Sequence, residues 1–133
     1  MPALQNLVLT DRTTPTPVNH TFTPDSKNGD VATVREDNGV PFGSPRVTIS
    51  KRVTANRRHK ATLQFAFPKV ISETINGQSV PKVARTINID VTFTCDDQST
   101  EQERKDAIGM LQSAFDPAKV LTNDVLVKLQ GIY

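Results

Sequence analysis

Polar and apolar residues alternate with period two through three stretches in the middle of the chain, and this alternation predicts β-strands. In "RVTISKR", Arg46, Thr48, Ser50 and Arg52 fall on one face, and Val47 and Ile49 on the other. In "KATLQFAF", Lys60, Thr62 and Gln64 oppose Ala61, Leu63, Phe65 and Phe67. In "RTINIDVTFTC", Thr86, Asn88, Asp90, Thr92 and Thr94 oppose Ile87, Ile89, Val91, Phe93 and Cys95. Three strands with one polar and one apolar face each mark an antiparallel sheet covered on one side only.

Shorter signals precede them. "LQNLVLT" and "VNHTF", separated by the turn-rich "DRTTPTP", predict a hairpin over about residues 4–22. "TPDSKNGD" reads as a further turn, "VATV" as a short strand and "REDNGVPFGSP" as a loop. The sheet is expected over about residues 31–95. Its last two strands are joined by the long connection "PKVISETINGQSVPKVA", with Asn76-Gly77 suited to a tight turn.

After Cys95 the period changes. Ser99 or Thr100 can cap a helix, with Gln102 or Glu103 three residues on completing a capping box. Ile108, Leu111 and Phe115 follow at helical spacing. Asp116-Pro117 repeats the start signal, and a second helix with Val120, Leu121, Val125 and Leu129 is expected to end near Gly131. The acids from Asp96 to Glu103 suit the dipole of the first helix. Strands first and two helices over about residues 100–130 make an α+β arrangement, and 133 residues suit a single domain over 1–133. With no Trp and seven aromatic residues, a lone chain builds a modest core. Uncovered apolar stripes and open sheet edges favour an edge-to-edge dimer.

Charge sharpens the picture. The net charge is only +2, but no Asp or Glu lies between Asp37 and Glu73, an interval with seven Lys or Arg. The turn "KRVTANRRHK" concentrates Lys51, Arg52, Arg57, Arg58 and Lys60. Cations, hydroxyls and amides on an open sheet face suit phosphates, riboses and base edges. A solvated strand face is also polar, and composition alone leaves both readings open. The single Cys95 excludes an intrachain disulfide and a zinc site of CxxC type, and no apolar run is long enough to span a bilayer. The N-terminus lacks a signal-peptide pattern, so the chain is expected to stay in the compartment where it is made. His20, His59 and Cys95 stand in no recognisable catalytic motif, which argues against an enzyme. No cofactor, metal or small-molecule substrate is expected, and no membrane association.

The motifs "NGDVATV", "PRVTISKR", "DVTFTCDDQSTEQER" and the terminal "GIY" resemble the coat proteins of single-stranded RNA bacteriophages, particularly the Q-beta (allolevivirus) branch. The likeness lies in the collinear series over nearly the full length. It implies an N-terminal hairpin, a five-stranded antiparallel sheet and two C-terminal helices that pack over the partner subunit's sheet. The dimer would present one ten-stranded sheet and assemble into an icosahedral virion shell in the host bacterial cytoplasm, its polar face turned to viral single-stranded RNA. The residues from Lys69 to Lys82 would form a loop at the symmetry axes, without the two cysteines that Q-beta relatives carry there.

The resemblance also implies binding of an RNA stem-loop that represses replicase translation. Thr48 and Ser50 match the hydroxyl pair of an adenine pocket, Gln64 a polar contact and Asp90 a base-contacting carboxylate. Thr62 stands where the family has a lysine, and Asn88 where it has a stacking aromatic. Arg46, Arg52, Arg57, Arg58 and Lys60 would neutralise phosphates. The alternative is a cellular RNA-binding module that uses the same face and forms no shell.

Overall fold

The computed structural model describes residues 2–133. They form two compact units, one running to Thr94 and the other Cys95–Tyr133. In the first, six strands lie in one sheet in sequence order: β1 Leu7–Thr10, β2 Asn19–Asn28, β3 Val31–Arg35, β4 Arg46–Val53, β5 Arg58–Ile75 and β6 Gln78–Asp96. The expected α+β class is observed, with a different strand count. Strand β2 runs through the predicted turn "TPDSKN", pairing with β1 as far as Phe22 and with β3 from Thr23 onward. One strand thus serves two ladders, where the resemblance implied a separate hairpin beside a five-stranded sheet. Pro24, which cannot donate to a ladder, sits at a register shift between Pro24 and Ser26.

The residues expected to loop between the last two strands continue β5 and β6 to the tip at Asn76 (φ 51) and Gly77 (φ 78). Two successive positive φ values are what a two-residue hairpin turn needs, so the Asn-Gly reading holds while the loop around it does not. Pro68 is tolerated because β4 stops pairing with β5 at the Arg46–Ala66 pair, which leaves that edge of β5 without a ladder to break.

The core of the sheet lies at one end of its apolar face. Phe22, Val34 and Val47 are fully buried, with Leu7, Leu9, Phe65 and Phe67 packed around them. Cross-strand partners share a face. Val34 opposes Val47, which in turn opposes Phe65, and the three strands therefore close on one cluster. Beyond it the face is open: Ile49, Val53, Ile87 and Ile89 are exposed, Ile87 by 64%. Cys95, on the same parity as Ile87 and Ile89, is half-buried.

The segment between β3 and β4 is held by side chains. Asn38 donates from Nδ2 to the Gly43 carbonyl (2.9 Å), and its Oδ1 accepts the Val40 amide (3.0 Å). Ser44 is buried, with its hydroxyl 3.2 Å from Asn38 Oδ1 and 3.0 Å from the Val40 carbonyl. These bonds set a 3₁₀ turn, Pro41–Gly43, with Gly43 buried beside Val70 of β5.

In the second unit, α1 spans Glu101–Ala114. Thr100 Oγ1 accepts the Glu103 amide (3.2 Å) and Glu103 Oε2 accepts the Thr100 amide (3.1 Å), the expected capping box. The second helix is shorter than predicted: α2 spans Val120–Leu126. Asp116 Oδ1 accepts the Ala118 amide and the Asp116 carbonyl accepts the Lys119 amide, so Pro117 occupies a turn and opens no helix. Leu129 has φ 57 and lies past the helix end. Neither helix contains a buried residue, and Ile108, Leu121 and Phe115 (47%) are exposed.

One ionic contact ties the β1–β2 hairpin to the end of β3. His20 Nε2 lies 2.7 Å from Asp11 Oδ2, and Nδ1 lies 2.7 Å from Glu36 Oε2. A neutral imidazole donates through one nitrogen only, so the imidazolium is the form that satisfies both carboxylates. The bond to Asp11 and then that to Glu36 raise the His20 pKa above its ordinary 6.5. The Val18 amide, then His20, then the Thr13 amide hold the Asp11 carboxyl far below its usual 3.8.

A raised histidine pKa stabilises the fold fully below 6.5, and the contribution is lost as pH rises through the folded value. The depressed Asp11 value contributes above 3.8 and is lost in acid. Thermal melting should therefore drop as pH rises above about 6.5 and through the raised folded value, and His20→Gln should flatten that trend. Parallel melting curves for the two proteins across this range would refute the assignment.

Candidate nucleic-acid interface

Strands β4 and β5 form the frame of the polar face. Their register opposes Arg46 to Ala66, Thr48 to Gln64, Ser50 to Thr62 and Arg52 to Lys60. All four pairs project from the face opposite Val47 and Phe65, as the alternation predicts. Arg46, Arg52 and Gln64 are exposed, while Thr48, Ser50, Thr62 and Lys60 are half-buried by their neighbours.

The turn between these strands is built by Thr54, whose amide donates to the Arg58 carbonyl (2.8 Å) and whose carbonyl accepts the Arg57 amide (3.0 Å). Arg57 lies in the left-handed region, with φ 58, at a position where three-residue hairpin loops favour glycine. A cation is therefore displayed at the tip despite a backbone cost of roughly 1–2 kcal/mol. Arg58 opens β5 on the face of Lys60. Lys51, by contrast, opposes Ala61 and belongs to the other face.

Strand β3 widens the polar face. Val31 opposes Ser50, Thr33 opposes Thr48 and Arg35 opposes Arg46. The Thr33 and Thr48 hydroxyls are 3.4 Å apart. From β2, Ser26 opposes Thr33 and Asn28 opposes Val31. None of these is among the residues singled out from sequence, although the alternation of "VATVR" carries the signal: Val31, Thr33 and Arg35 share one parity. Asn88 and Asp90 are both exposed on one face of β6, opposite in parity to Ile87 and Ile89. No group of three or more His, Cys, Asp or Glu among the described residues could hold a metal ion.

The face is thus an open sheet with a neutral centre of hydroxyls and amides and cations at its margins.

Comparison with known proteins identifies the architecture. Residues 2–133 match the family described as Levivirus coat protein. The chain belongs to that family. It is 45% identical over 130 residues to the capsid protein of Pseudomonas phage PRR1, covering 98% of both chains. The virus-like particle of Beihai levi-like virus 21 shares the fold, with a TM-score of 0.82 at 20% identity over 99% of each chain. An unassembled virus coat protein dimer, described as a bacteriophage RNA-binding dimer, has a TM-score of 0.59 at 21% identity over 98% of each chain. This coat protein is accordingly a structural component of the virion shell and not an enzyme. Within a coat protein, an open sheet face with cationic margins and an uncovered apolar face have separate uses.

Proposed function

We propose that this coat protein dimerises, assembles into an icosahedral shell around the viral single-stranded RNA, and binds that RNA on the polar face of β3–β6. One observation carries the reading. The β4–β5 register gathers Arg46, Thr48, Ser50, Arg52, Lys60, Thr62 and Gln64 on a single face, with Arg57 and Arg58 at its end. Phosphates take the cations, and base edges and riboses take the hydroxyls and amides. Asn88 and Asp90 extend the same chemistry on β6.

Dimerisation follows from what a lone chain leaves exposed. Ile49, Ile87 and Ile89 of the sheet, Ile108 and Leu111 of α1 and Phe115 at its C-terminal cap are exposed apolar residues at strand and helix spacing. A second copy supplies helices for the sheet and a sheet for the helices. Strand β6, last in the sheet order, offers its outer edge to the same strand of the partner. Residues 1–133 then act as one coat-protein domain. The β5–β6 tip, with Ile71, Ile75 and Val80 exposed, meets neighbouring dimers. A likeness to a dimer described as RNA-binding supports this reading through the shared fold.

Repression of replicase translation is the finer step, and it needs selective binding of a stem-loop. Thr48, Ser50, Gln64 and Asp90 are the residues for base contacts; Thr62 and Asn88 place a hydroxyl and an amide where the family has a lysine and an aromatic.

Analytical ultracentrifugation of the recombinant protein, recorded at 260 and 280 nm, tests the assembly reading. A uniform, fast-sedimenting particle rich in 260 nm absorbance is expected. A small species free of nucleic acid at low salt would overturn it in favour of an isolated binding module.

A further inference from the structure

The cations of the polar face are grouped, and the grouping is unfavourable for the protein alone. At one end, Arg52 and Lys60 are direct cross-strand partners. At the other, Arg35 and Arg46 are direct cross-strand partners. Like charges in such positions repel, and a pair directly opposite destabilises a sheet. The one ion pair found for these four residues among the described residues joins Arg35 to Asp25, at 3.7 Å with both side chains roughly one-third exposed or more. A surface pair of that length contributes little and leaves Arg46 unneutralised. Two like-charged pairs at opposite ends of one face are explained by an anion that binds both.

We propose that Arg35 joins Arg46 in a second phosphate-binding pole, and that the ligand is a nucleic-acid strand long enough to reach from this pole to Arg52 and Lys60. This deepens the RNA-binding reading and rests on it.

Geometry sets the ligand class. Arg46 and Arg52 are six positions apart on β4, which is about 20 Å at roughly 3.4 Å per residue. No single phosphate spans that distance, so a mononucleotide engages one pole at most. Between the poles lie two rows without charge: Ser26, Thr33, Thr48 and Gln64 in one, Asn28, Val31, Ser50 and Thr62 in the other. Backbone phosphates at the two ends leave bases and riboses over these rows, where hydroxyls and amides can pair with them. Arg35 is a positioning residue in this scheme: it fixes where the strand lies and reads no base.

Binding of a fluorescein-labelled oligouridylate by the intact dimer, followed by anisotropy from about 50 to about 200 mM salt, tests the second pole. For a single strand, removing one phosphate-neutralising cation makes the plot of log affinity against log salt shallower by about 0.7. Arg35→Gln should lower the slope by that amount, Arg35→Lys should restore it, and UMP should compete weakly. Equal slopes for the wild type and Arg35→Gln, or equal competition by UMP and oligouridylate, would overturn the second pole while leaving RNA binding intact. Absence of oligouridylate binding by the wild type would overturn both readings. Thermal melting of each variant separates weakened binding from a damaged fold.

Discussion

Replacing Arg52 and Lys60 together with alanine lowers affinity for single-stranded RNA on the order of 100-fold, because each charge-assisted hydrogen bond contributes about 1.5 kcal/mol and 1.4 kcal/mol is tenfold. The two residues are cross-strand partners at the margin of the polar face, so one phosphate or two adjacent ones can take both. The variant should also be less sensitive to salt, its log-log slope falling by about 1.4. Dimer stability should hold or rise slightly, since the substitution removes a like-charge pair. The measurements are anisotropy titrations across salt and the 260 nm absorbance of assembled particles. Particles with unchanged RNA content would show that the genome is held elsewhere.

Gly43→Ala destabilises the folded protein by roughly 1–3 kcal/mol, the usual cost of overpacking a filled site. A Cβ at Gly43 would fall well inside van der Waals distance of Val70 Cγ2, with Val40 Cγ1 also 3.5 Å away. The backbone cannot retreat easily. Asn38 and Ser44 hold the segment at its carbonyls and amides, and Ser44 is itself buried. Paired substitution isolates the cause: Gly43→Ala with Val70→Ala should recover most of the loss in a denaturant melt. A double variant no more stable than Gly43→Ala alone would place the defect in the loop backbone and not in the packing against β5.

The β4–β5 hairpin is legible because burial there is one-sided. Val47 and Phe65 enter the core while Thr48 and Gln64 do not, and period two in the sequence is the record of that difference. The same logic fails from Lys69 to Lys82, where both faces of the strands are largely exposed and no burial pattern remains to be read. Pro68 and Pro81 then dominate the local signal, although a free strand edge accepts proline. The full length of β2 is hidden for a related reason, because "TPDSKN" has turn composition and its pairing with β3 is set by tertiary structure. The capping box of α1 is local, four residues long, and legible; the start of α2 depends on whether Pro117 continues a turn or a helix, and two hydrogen bonds to Asp116 decide it.

On the polar face, the residues from β4 and β5 stand out in the sequence and those from β3 do not. Arg35 is the clearest case. It follows "VAT" and Val34 in a five-residue strand, too short for alternation to stand out, and its nearness to Arg46 exists only in the register. The acid-free interval points to residues 38–72, and Arg35 lies just outside it beside Glu36 and Asp37.

Strand β2 gives the coat protein an uneven tolerance to sequence change. Its first half is zipped to β1 and its second half to β3, so a deletion on either side of Phe22 and Thr23 would shift one ladder against the other by a residue and turn an entire set of side chains inside out. The segment between Asp11 and Val18, whose backbones are themselves paired, closes one hairpin and can change length without moving either ladder. Among natural variants, length differences should accumulate in that stretch and be purged from β2.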